Sequence, residues 1–138
     1  MLKTTQELLH HLKDTDDIQK YLDANSGELI NETTENYLAG LLETKRLKIS
    51  DVARLSGQGD YVYKVFGGSR KASRDILLAI SVGMNLSLPE AQLLLRVARE
   101  VQLDPRNRRD SVVIYALGNS LAIDKANEVL YDTGEATL

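Results

Sequence analysis

Gly67-Gly68 is followed by Ser69-Arg70-Lys71, and Ser73 then opens a helical pattern. Gly68 gives the backbone freedom to turn, and a helix N-terminus with free amides beside cations is a ready phosphate site. Arg74 adds one more cation at the start of that helix. Upstream lie Tyr61, Tyr63 and Lys64. A phenol there can hydrogen-bond a phosphate or stack on a sugar, or one ring can pack inward while the other is merely exposed. Gln58 and Asp60 occupy the preceding turn. Asp60 repels phosphate, although a carboxylate can accept from cytosine. The chemistry of these nine residues is recognition by charge and hydrogen bonding.

Short helices must position them. Tyr37 to Leu42 carries apolar residues at i, i+1, i+4 and i+5, one stripe of a helix. Ser50 to Gly57 reads as a short helix closed by glycine, and Tyr61 to Phe66 as a second. Two short helices joined by a tight glycine-containing turn have the form of a helix-turn-helix. In such a motif Tyr61 to Lys64 face the major groove of double-stranded DNA, while Ser69, Arg70, Lys71 and Arg74 hold its backbone.

Residues 35–84 resemble the lambda-repressor-like, Xre-type helix-turn-helix family. The resemblance is carried by Leu41-Leu42, by Asp51-Val52-Ala53-Arg54-Leu55-Ser56-Gly57, by Val65 to Lys71, and by Ser73 to Ile80. It implies that Ala53 packs in the angle between the two helices. It also implies that Gly68-x-Arg70 matches a loop bringing amides and cations to phosphate. The chain departs from the pattern at Ile49 or Ser50, where the family usually has Gln, and in the turn, which holds two glycines and an acid. The whole chain looks similar to small bacterial proteins in which this motif precedes a Pro-Arg-x-x-Arg-Asp segment.

The 138 residues, 43% hydrophobic and 27% charged, suit an all-α protein with a real core. The expected organisation is seven to eight helices. Residues 1–30 form an acidic helical N-terminal extension, 31–103 the helix-turn-helix core, and 104–138 a C-terminal helical extension. Thr4 and Glu7 suggest a capping box for a helix to about Lys13, and Asp14 to Asp17 open a second through Leu22. Ser87 and Glu90 form a clearer box, opening a nearly all-apolar helix at 88–101 read as the central core helix. Asp104-Pro105 reads as a cap followed by proline. Apolar stripes follow at 107–118 and 122–132, with Gly134 closing the last helix. Val112 to Tyr115 could pass for a strand but lacks a partner. The apolar stripes of 107–132 are the expected surface of a homodimer.

The net charge of −3 hides a pattern: −5 over residues 1–39, +5 over 40–110 and −3 over 111–138. The basic block coincides with the candidate motif, as nucleic-acid binding requires. Arg106, Arg108 and Arg109 are its densest cluster, and with Asp104 and Asp110 beside them they read as a structural ion-pair network. Gly57 to Val65 mimics a kinase glycine-rich loop, but Val62 replaces the third glycine. His10 and His11 point about 100° apart on a helix and cannot share a metal, and there is no cysteine. No nucleophile–base set can be assembled. No enzyme activity, catalytic residue, metal or cofactor is therefore expected. Nothing reads as a signal peptide or membrane span, so a cytoplasmic location follows, and the Asn31 and Asn85 sequons are chance matches. A rival reading, favoured by Asp60, the acidic termini and the missing Gln, is a protein–protein interaction module on the same fold that has lost DNA binding.

Overall fold

The computed structural model describes residues 3–29 and 32–138. The expected boundary between 30 and 31 and the Asn31 sequon involve residues outside that description. The chain separates into two compact units, Met1–Asn31 and Glu32–Leu138. Among the described residues there are nine α-helices and no strand. None of them is long and apolar enough to cross a membrane.

In the first unit, α1 spans Thr5–Asp14 and α2 spans Ile18–Ala24, followed by a 3₁₀ turn at Ser26–Glu28. Thr4 Oγ1 accepts from Glu7 N–H at 3.1 Å. Asp17, the last residue of the acidic run, caps α2. The adjacent histidines diverge: His10 pairs with Asp14 one turn on, and His11 meets the buried Asn25 amide at 3.0 Å.

The second unit opens with α3 (Thr34–Lys45), capped by Thr33. Two short helices follow, α4 (Ile49–Leu55) and α5 (Tyr61–Phe66), and then α6 (Arg74–Gly83). α7 (Leu88–Val97), α8 (Arg108–Gly118) and α9 (Ile123–Asp132) complete it. The central helix is α6, not α7. Leu77 through Val82 are all buried, because α4, α7, α8 and α9 pack around α6. α7 is shorter and more one-sided than expected. It ends at Val97 because Arg99 turns left-handed (φ 59°) and Glu100 N–H bonds back to Leu95 O at 2.8 Å. Val101 therefore lies outside the helix, 73% exposed.

Asp104-Pro105 does not start a helix. Asp104 accepts from Asn107 N–H and Arg106 N–H, forming a turn, and Asn107 caps α8 instead. The apolar stripes of α8 and α9 are spent inside the chain. Val113, Ala116, Leu117 and Ala126 join the same core as Leu38, Val52 and Leu78. The premise of the expected dimer surface, a stripe left uncovered, is thus removed. Residues 104–138 share the core of the second unit rather than standing apart from it.

The Ser87–Glu90 box is formed in both directions, at 3.3 and 2.8 Å. Glu90 also meets Lys45 Nζ of α3 at 2.8 Å. Burial works against the Glu90 charge, but hydrogen bonds from Lys45 and Ser87 outweigh it and hold its pKa below the ordinary 4.5. A carboxylate depressed in the folded state stabilises fully above its unfolded pKa, and that contribution is lost as pH falls through the folded value. Glu90→Gln is therefore expected to lower the denaturation midpoint near neutral pH. The difference from wild type should shrink as pH falls through the depressed folded-state value of Glu90, below which both side chains are neutral.

Candidate functional site

The site residues are carried by α4, α5 and the loop into α6. Asp51 in the first turn of α4 accepts from Lys48 N–H at 2.9 Å. Ala53 of α4 is buried in the core, and its carbonyl accepts from Gly59 N–H at 3.1 Å. That bond needs Gly59 at φ 60°, which suits glycine. Gln58 is half-buried and Asp60 exposed. On α5, Val62, Val65 and Phe66 face the core. The opposite face carries Tyr63, 48% exposed, and Lys64. Tyr61 is half-buried and its hydroxyl donates to Lys71 O at 3.4 Å, tying α5 to the loop.

Beyond α5 the chain turns at Gly68 (φ 76°). Gly68 N–H donates to Val65 O, and Ser69 and Arg70 N–H both donate to Lys64 O, at 3.0 and 3.2 Å. These bonds close the end of α5 and spend the Gly68, Ser69 and Arg70 amides, so at those three positions the expected offer of N–H groups to phosphate is corrected and side chains are presented instead. Ser69, Arg70 and Lys71 are exposed, and the Lys64, Arg70 and Lys71 side chains have no ion-pair partner among the described residues. Ser69 Oγ bonds to Lys64 O at 3.3 Å. Ala72 then inserts into the core and Ser73 caps α6.

Arg74 does not join this surface. Its terminal nitrogens donate to Asp110 Oδ1 and Oδ2 at 3.1 and 2.9 Å, and its Nε donates to Val101 O at 2.8 Å. Its expected place on a phosphate backbone is corrected for a physical reason, since those donors are already engaged. Eight of the nine candidates thus lie along 58–71, and one is turned away.

Two acidic residues bearing on the site escaped the sequence reading. Glu35, at the start of α3, lies against Gly68, where a Cβ would come within 3.1 Å of its Oε1. Glu35, Arg70 and Lys71 line a cavity of about 150 Å³. Asp110 is the other. A separation of more than 30 residues leaves no local signal for either contact.

The Arg106–Arg109 cluster is a pairing network in part, with other partners than the flanking acids. Arg109 grips Asp75 at 2.7 and 3.1 Å and carbonyls of Ala136 and Thr137. Donating these hydrogen bonds to the Asp75 carboxylate raises the Arg109 pKa above its ordinary value. Arg108 pairs with Glu135 at 3.1 Å. Arg106 has no side-chain partner among the described residues. Comparison of the chain with protein-family models, with curated proteins and with solved structures finds no match.

Proposed function

We propose that residues 32–138 form an all-α domain built around a lambda-repressor-like helix-turn-helix at about 35–84, and that it binds double-stranded DNA in transcriptional regulation. In this reading α4 and α5 are the two helices of the motif. Tyr63 and Lys64 face base edges, and Arg70 and Lys71 contact phosphate. One observation carries it. Lys64, Arg70 and Lys71 are exposed and without an ion-pair partner among the described residues, beside an exposed tyrosine, in a stretch without an acid from Tyr61 to Arg74. A local face of unspent cations is what phosphate binding requires. Since one such module contacts a single half-site, two copies on a two-fold site are the expected binding form. The test is selection from a random duplex pool. Wild type is expected to enrich one sequence, and Lys64→Ala or Tyr63→Ala to change which sequence is enriched. No enrichment by wild type would count against base-specific binding.

A second reading, an interaction module without DNA binding, is favoured by two placements. Arg74 is spent on Asp110, and Glu35 sets a carboxylate beside Gly68. On that reading the same surface takes a protein partner and no duplex is retained.

A further inference from the structure

Away from α5 a cleft of about 750 Å³ is lined by Arg74, Arg106, Arg108, Arg109, Asp110 and Glu135, among others. The charges balance, four arginines against four acids, once Asp75, which holds Arg109, and Asp104, which accepts from Arg106 N–H, are included. The hydrogen bonds do not balance. A guanidinium has five N–H donors. Arg74 and Arg109 each make four bonds to protein acceptors, and these form a fixed wall. Arg108, its side chain 78% exposed, makes two, to Glu135 Oε1 and Thr133 O. The exposed Arg106 side chain makes none among the described residues.

Two guanidiniums with spare donors therefore open into one cleft whose other cations are locked. Planar forks of this kind suit phosphate oxygens. No aromatic side chain lines the cleft, so a base has no platform there. The geometry points to a binding site for a diphosphate group, free or carried by a nucleotide, held by Arg106 and Arg108 in competition with Glu135. This assignment is independent of the DNA reading.

The experiment is calorimetric titration of the full chain with inorganic pyrophosphate at low salt. One-to-one binding is expected, weakened at least about tenfold in Arg106→Ala/Arg108→Ala, since a hydrogen bond to a charged group is lost at each position. Both positions are exposed and neither is needed for the core, so the variant keeps the fold. Arg70→Ala/Lys71→Ala should bind pyrophosphate as wild type does. Glu135→Gln, which removes the competing charge from Arg108, should bind more tightly. ADP should match pyrophosphate, because only the diphosphate is held. Absence of heat with wild type at millimolar pyrophosphate would overturn the assignment. So would equal binding by the Arg106/Arg108 variant, loss in the Arg70/Lys71 variant, unchanged or weaker binding by Glu135→Gln, or binding of ADP alone.

Discussion

Asp110→Ala is expected to destabilise the protein by about 3 kcal/mol, the lower end of the cost of breaking a buried ion pair from one side. Asp110 is 5% exposed and accepts three hydrogen bonds, two from Arg74 and one from Asp104 N–H. Removing it leaves the Arg74 guanidinium facing only the carbonyls of Val101 and Gln102. The Arg74 side chain is 24% exposed, so water can reach part of it, which sets the lower figure. The pair also joins the start of α6 to the start of α8 across 36 residues. Urea denaturation should show a lower midpoint. The coupling is diagnostic: once Asp110 is gone, Arg74→Ala should cost far less than it does alone. Additive costs would mean that the two side chains do not depend on each other.

Gly83→Ala is expected to cost about 2 kcal/mol, within the range for overpacking. A Cβ on Gly83 would lie 2.7 Å from Ser56 N, 2.8 Å from Ser56 Cα and 2.9 Å from Leu55 C. These are backbone atoms at the end of α4, and the Ser56 amide is already bonded to Val52 O at 2.9 Å. No side-chain rotation can relieve the contact, so α4 and α6 must move apart. Gly40 in the middle of α3 supplies the control, because nothing lies within 4 Å of its would-be Cβ. There the same change should stabilise by up to about 1 kcal/mol through helix propensity. Opposite signs at the two glycines are the result to look for, and a stabilising Gly83→Ala would mean α4 and α6 do not approach this closely.

The features legible in the sequence were those set by neighbours in the chain. Ser87 and Glu90 are three residues apart, so the box that opens α7 could be read directly, as could the all-helical character of Val112 to Tyr115 from the stripe around them. The Lys45 contact that Glu90 also makes could not, since α3 and α7 meet only in the fold. Apolar periodicity marks which face of a helix is buried but not which helix is surrounded. That is why α7 was expected at the centre that α6 occupies. The end of α7 was hidden too, because Arg99 takes a left-handed conformation that an arginine does not advertise. At the candidate site, the exposed face of α5 and the loop cations followed from local pattern. The removal of Arg74 did not, because it depends on Asp110 and on two carbonyls brought in by the turn after α7.

The proposal of DNA binding is tested most directly by a salt titration on one labelled duplex, comparing wild type with Arg70→Ala/Lys71→Ala. Each phosphate contact contributes about 0.9 to the log–log slope of affinity against salt. Wild type should bind at about 50 mM salt and weaken steeply as salt rises, and the double variant should bind more weakly on every sequence with a slope shallower by close to two. An unchanged slope would remove Arg70 and Lys71 from the interface. No binding by wild type at about 50 mM salt would contradict DNA binding itself and leave the interaction-module reading in its place.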